Sequence, residues 1–288
     1  VYHRTVTRPI PAVPLLAVLV LAMAPAPVGG QVLRYGGDPG TARTYVREQH
    51  DRVLQTVDGR QLGTEIRSYW RLDTTVTGAS EEVLTLAIEH DSLAISGLPA
   101  EAGLDLGELR EIPIAIEMSR RGEVREVTMP DPLPPIAARL DLATNYRNLF
   151  PRLPEGEVAE GATWSDTTRV SASQNGLELR VLRVNRYASK GWASHGARRV
   201  LRVDYEATLT IEGSGEQQEA GIVLSGSGRA AGSFAFDPEA GALAAGGETT
   251  EMRMVALVSA EGQNRIIPIV QSRSETITLV EPDTSAGE

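Results

Sequence analysis

Apolar and polar side chains alternate along much of this chain. Between residues 65 and 76, Ile66, Trp70, Leu72 and Val76 fall on one side of an extended backbone, and Glu65, Arg67, Arg71 and Asp73 on the other. From 199 to 212, Leu201, Val203, Tyr205, Ala207, Leu209 and Ile211 alternate with Arg202, Asp204, Glu206 and Glu212. Successive side chains of a strand point to opposite faces, so both segments predict long, half-buried strands. A helix would spread the same residues around its circumference. The period of two returns at 83–95 (Leu84, Leu86, Ile88), at 112–118 (Ile112, Ile114, Ile116, Met118), and at 177–187, 252–258 and 265–280. Turn residues separate these runs at Arg121-Gly122, Asn175-Gly176, Asp237 to Gly241, and Glu261-Gly262. Asn-Gly in particular favours the positive φ of a tight hairpin. Many strands joined by short turns predict an all-β, mostly antiparallel protein, a sandwich or half-barrel.

One segment departs from this pattern. After Pro130-Asp131-Pro132-Leu133-Pro134-Pro135, the residues Ile136, Leu140, Ala143 and Phe150 recur at near-helical spacing. They predict a single short helix over 136–149, closed by Pro151 and Pro154. The helix divides the chain into an N-terminal β half at 31–130, a proline-rich linker at 131–155, a C-terminal β half at 156–281 and a flexible tail at 282–288. Each half offers a long alternating strand (64–76, 199–212), a partner (83–95, 216–226) and a hairpin ending near 121–124 or 239–243. The order of elements matches better than the residues do, so two similar halves and one irregular meander both stay open.

The first thirty residues predict export. His3, Arg4 and Arg8 precede the apolar run from Pro14 to Ala24, and small residues continue to Gly30. That succession is the form of a secretory signal peptide, with cleavage expected after Gly30 and a processed chain starting at Gln31. The apolar run is shorter than the ~20 residues of a membrane-spanning helix. The expected location is therefore the periplasm or the extracellular space. No later stretch is long and apolar enough for a spanning helix, so the processed chain is expected not to be an integral membrane protein. The chain has no cysteine, which excludes disulfides and a lipid-modified cysteine and leaves stability to a packed core. Its net charge is −10, which gives it no electrostatic footprint for nucleic acid.

The residues that could carry chemistry do not assemble into a catalytic pattern. A Gly-x-Ser-x-Gly elbow is absent, and after the leader the histidines are His50, His90 and His195. His50-Asp51 and His90-Asp91 resemble the pairs of metal-dependent phosphohydrolases, but neighbours in a strand diverge and do not chelate one ion. The run Gly226-Ser227-Gly228-Arg229-Ala230-Ala231-Gly232 resembles a dinucleotide loop, yet a strand follows it where such a loop would open a helix. Its glycines predict close backbone approach or a bend in a curved sheet. The 38 acidic residues are dispersed, so no carboxylate pair stands out. No catalytic, cofactor or metal residue is assigned, no cofactor is expected, and the chain is expected not to be an enzyme. Candidate ligand or partner residues are Trp70, Tyr205, Leu140 and Phe150 on apolar faces, and Trp192 in a loop expected at 188–197. A long apolar sheet face must be covered by protein or by a ligand. The leading expectation is a non-catalytic envelope protein that binds an apolar ligand, a lipid or acyl chain, or an envelope partner. A protein- or glycan-binding module acting through exposed loops is the alternative, and a hydrolase with an unrecognised site the second.

Leu33-Arg34-Tyr35, Leu149 to Pro154, Gly161-Ala162-Thr163-Trp164 and Phe236 to Gly241 resemble the corresponding segments of exported bacterial β-rich proteins of unknown function. That resemblance implies two β-rich halves flanking a proline-bounded segment and implies no activity. In architecture the chain is also loosely similar to LolA-type half-barrels, periplasmic carriers that cradle acyl chains in a curved sheet closed by helices. No site residue follows from either resemblance.

Overall fold

The computed structural model describes residues 30–97, 106–110, 112–133, 137, 142–174, 176–217, 220–260 and 262–280. The expected leader, apart from Gly30, the expected tail and Leu140 lie outside these residues. Alternation resolves into long strands: β1 (Gln31–Val32), β2 (Ala42–Val57), β3 (Arg60–Ala79), β4 (Val83–Ser96), β5 (Ile114–Ser119) and β6 (Val124–Thr128), then β7 (Glu157–Val158), β8 (Thr163–Gln174), β9 (Leu177–His195), β10 (Arg198–Gln217), β11 (Ala220–Asp237), β12 (Ala242–Ala260) and β13 (Gln263–Val280). Two short helices, α1 (Gly107–Arg110) and α2 (Leu142–Arg147), interrupt them. The all-β, antiparallel expectation holds.

The strands β2 to β6 form one meander and β8 to β13 another. β13 pairs with β2, so the two meanders make a single eleven-stranded antiparallel sheet with β6 and β8 at its edges. The pair β1–β7 forms a small separate sheet. Arg47 of β2 and Asp166 of β8 line the same cavity, although a flat sheet would hold their strands roughly 29 Å apart at the usual spacing. The sheet is therefore strongly curled, and its inward face encloses the interior.

One end of that interior is a packed core. Tyr45, Leu72, Ile88, Ile116, Leu201, Phe236 and Leu243 are buried on the inward face. Leu33 and Tyr35 cover them from the N-terminal segment, and Leu142, Tyr146, Leu149, Phe150 and Leu153 from the connection between β6 and β8. Tyr35 meets Phe236 edge-on at 5.2 Å and donates its hydroxyl to the carbonyl of Pro151 at 2.9 Å. Leu142 and Tyr146 are four residues apart on one face of α2, which directs both inward.

Three expectations change. The helix expected over 136–149 has its main described turn at Leu142–Arg147, with Ala137 also helical. The amide of Leu149 turns back to the carbonyl of Tyr146 at 3.3 Å, and Pro151 disfavours a helical Phe150. The expected loop at 188–197 is instead strand to His195, with its register adjusted by a bulge opposite Arg202 and Val203. Gly191, at φ 89°, supplies the conformation there. The partner expected at 216–226 begins at Ala220, because β10 continues through Gly213-Ser214-Gly215 to Gln217.

Candidate functional site

Strand register stacks the inward side chains into rows across the sheet. One row runs Gln49, Glu275, Glu248, Gly232, Tyr205, Tyr187 and Trp164, and the next runs Asp51, Arg273, Thr250, Ala230, Ala207, Asn185 and Asp166. These rows make a polar belt across a face that is otherwise apolar. On the β2–β13 side, Arg47 grips Glu275 with two parallel hydrogen bonds of 2.8 and 2.9 Å. Arg273 donates to Asp51 at 2.7 Å. On the β8–β12 side, Arg183 forks onto Glu248, with one bond of 3.0 Å and a shorter one beside it. Tyr205 and Thr250 each donate to the same carboxylate at 2.8 Å. Asn185 bridges from Arg183 to Asp166, accepting at 2.7 Å and donating at 2.6 Å.

Small residues on β11 make this reach possible. Arg183 on β9 and Glu248 on β12 are separated by two strands, and the β11 positions between them are Gly228, Ala230 and Gly232. A Cβ built at Gly232 would stand 2.6 Å from the Tyr205 hydroxyl and 2.4 Å from the carbonyl of Gly247. The period-two glycines thus provide close approach, one of the two roles expected of them, and they lie inside β11 rather than opening a helix.

The electrostatics follow from burial and pairing. Burial alone would raise the Glu248 carboxyl, but the Arg183 guanidinium and the Thr250 and Tyr205 hydroxyls outweigh it and hold the group below its ordinary value. Burial, reinforced by the Glu248 charge, raises the Tyr205 hydroxyl, so it stays a hydrogen-bond donor. The Glu248 carboxylate, held ionised by its guanidinium partner, is poorly placed to deliver a proton.

A cavity of about 360 Å³ lies between the belt and the connecting segment from Thr144 to Arg152. Its wall continues past the belt into Val170, Val181, Leu209 and Met252. Farther rows toward the hairpin ends add Ile211, Met254 and Ile269, then Leu224, Ala256 and Ile267. A larger depression, about 1250 Å³, lies at the opposite, closed end of the molecule. Two of its arginines are used in lacing the fold: Arg43 donates to the carbonyls of Gly36 and Ala240, and Arg120 to those of Ser80 and Tyr35. The belt cavity is the better site because it joins a polar zone to an apolar one.

The structure brings Tyr205 and Phe150 to this cavity. Trp70 is buried instead beside His90, with ring centroids 5.5 Å apart. Trp192 is half-buried in β9 with the Arg199 guanidinium 4.2 Å over its ring, not displayed on a loop. The His-Asp pairs diverge: His50 faces outward to Glu65 at 2.9 Å while Asp51 faces the belt. Among the described residues no cluster of three or more His, Asp or Glu is placed to hold a metal. Sequence reasoning missed Arg47, Asp51, Arg183, Glu248, Arg273 and Glu275. Their signal was a charged residue in phase with apolar ones, as in Tyr45-x-Arg47 and Glu275-x-Ile277-x-Leu279.

No family model and no curated protein matches the chain. Among solved structures, the chain is similar to OmpF of Salmonella typhi in complex with daunomycin, with 8% identity over 84% of this chain and 100% of that one and a TM-score of 0.26. A mutant porin of Rh. blastica gives 10% identity over 82% and 99% at 0.23, and an outer-membrane channel of Pseudomonas putida F1 gives 7% over 86% and 98% at 0.19. At these scores the likeness carries no argument about what this chain does. The expectation that the processed chain is not an integral membrane protein is nevertheless corrected. It rested on a helix criterion that says nothing about strands, and the similar solved structures include a porin and an outer-membrane channel. Among the described residues no helix is long and apolar enough to cross a membrane. At the hairpin end of β11–β13, however, the sheet is apolar on both faces: Val223, Leu257 and Ile266 form an outward row, with Val223 54% and Ile266 69% exposed.

Proposed function

We propose that the protein is a non-catalytic binder of an amphiphilic molecule in the cell envelope, with the ligand's polar head at the belt and its acyl chain along the apolar rows beyond. The observation that carries this reading is a single cavity that changes character along its length, from paired charges and tyrosines to Val181, Leu209 and Met252. Its volume of about 360 Å³ falls at the lower end of ordinary small-molecule sites. The order of packed core, belt and apolar rows along the interior supports the orientation. The closed end is filled by aromatic packing, so an acyl chain extends toward the open hairpin end.

Native mass spectrometry of the chain purified from its own host, followed by organic extraction, tests this directly. The expected result is a co-purifying amphiphile that is lost from a Leu209→Trp variant of unchanged melting temperature. Protein free of extractable lipid, which also takes up no added long-chain amphiphile, overturns the reading.

A further inference from the structure

The belt cavity is lined by more positive than negative charge, although the chain as a whole stands at −10. Five arginines face three carboxylates there, those of Asp166, Glu248 and Glu275. Three of the arginines are spent within the sheet: Arg47 on Glu275, Arg183 on Glu248, and Arg273 on Asp51 outside the lining. The other two, Arg147 and Arg152, come from the connecting segment opposite the belt. Arg147, the last residue of α2, is exposed and pairs with no carboxylate among the described residues. Arg152 stands 3.1 Å from Glu123, whose side chain is 54% exposed, and 3.8 Å from Asp166. An ion pair with so exposed a partner contributes little, so Arg152 can exchange Glu123 for a ligand at small cost.

The carboxylates are in the opposite condition. In Glu248, Oε1 accepts from Arg183 and Thr250, and Oε2 from Arg183 and Tyr205. Both oxygens of Glu275 accept from Arg47. Asp166 accepts from Asn185 and Tyr187 through Oδ1, and its Oδ2 is buried out of a ligand's reach. The cavity therefore holds uncommitted cations and engaged anions.

We propose that the head of the bound amphiphile is an anionic oxyacid, a carboxylate or a phosphate, held by Arg147 and Arg152. The inference rests on the amphiphile reading and specifies its head. A guanidinium presents a planar fork of N–H donors that matches two oxygens of such a group. A cationic head would have to compete with guanidiniums already seated on Glu248 and Glu275, and it would add to a positive lining. An uncharged hydroxyl could accept from the same donors, but a bond to an ionised acceptor is roughly twice as strong. The same cavity supplies Val181, Leu209 and Met252 for the acyl chain.

Calorimetric titration of the full chain with four amphiphiles of one acyl length, each below its micelle-forming concentration, tests the proposal: a fatty acid, a lysophosphatidate, a monoacylglycerol and an alkyltrimethylammonium. At least one of the two anions is expected to bind about tenfold tighter than the uncharged and cationic analogues, the worth of one hydrogen bond between charged groups. The tighter anion then names the source of the head. The double substitution Arg147→Gln and Arg152→Gln is expected to remove that margin and leave monoacylglycerol binding unchanged. Arg147→Gln alone, at an exposed position, is expected to take several-fold of it and carries the test if the double variant does not fold. Salt at about 1 M, where the Debye length is about 3 Å, is expected to shrink the margin in the unaltered chain. Monoacylglycerol or alkyltrimethylammonium binding as tightly as both anions overturns this inference while leaving the amphiphile reading standing. An anion margin that survives in the folded double variant also overturns it. Failure of all four amphiphiles to bind sinks the underlying reading instead.

Discussion

Glu248 shows how a single side chain organises the belt. It accepts from Arg183, Tyr205 and Thr250, and its side chain is 19% exposed, so removing it leaves a guanidinium in a site of little solvent. Breaking one partner of such a pair costs more than the pair itself contributes, and Glu248→Ala is expected to destabilise the fold by about 3–5 kcal/mol in urea titration. Because the Glu248 carboxyl is held below its ordinary value, its contribution is complete above pH 4.5 and is lost as pH falls below that toward the depressed value. Gly232→Ala tests the floor beneath it. The new methyl group meets backbone at Gly247 as well as Tyr205, so a loss of about 1–3 kcal/mol is expected from overpacking. The need for glycine at this position was legible in the sequence as a request for close approach. What approaches was not, because Tyr205 and Glu248 lie 43 residues apart and meet only through register.

At the level of elements, the connecting segments are pinned by one histidine. His90 faces inward from β4 and contacts the carbonyl of Leu109 in α1 through Nδ1 at 2.9 Å. Its Nε2 receives the hydroxyl of Tyr146 from α2. Burial lowers the imidazole below its ordinary value, against the backbone bond to Leu109, which raises it. The neutral form is therefore the folded form, with Nδ1 donating and Nε2 accepting. The unfolded chain binds the proton more readily, so stability is full above pH 6.5 and falls as pH drops below it toward the depressed folded value. Thermal melts between pH 7.5 and 5 are expected to show this decline, and His90→Phe is expected to flatten it. An unchanged slope in that variant would assign the decline to other groups. His90 read as an unremarkable strand histidine because its partners come from segments 19 and 56 residues away. The long strands were legible because period two is a local signal. The loop expected at 188–197 was misread because Gly191 and Gly196 resemble punctuation, whereas the first supplies a bulge inside β9 and only the second a turn.

Across the whole molecule, the decisive pairing joins β13 to β2, with Ile277 opposite Arg47 and Arg273 opposite Asp51. It fuses two meanders into one curled sheet and places the belt's two charge networks on one inward face. No local pattern announces a contact across some 220 residues, so the sequence read as two halves or one meander with equal ease. Curling then creates three tiers, an aromatic core, a belt of paired charges and an apolar trough, and the order of those tiers is the basis for the binding reading. The most direct test is photocrosslinking with an amphiphile that carries a diazirine near the end of its acyl chain, read out by peptide mass spectrometry. The account predicts adducts on the inward residues Val181, Leu209, Met252 and Met254. Adducts confined to the outward row of Val223, Leu257 and Ile266, or labelling no greater than that of heat-denatured chain, would contradict it.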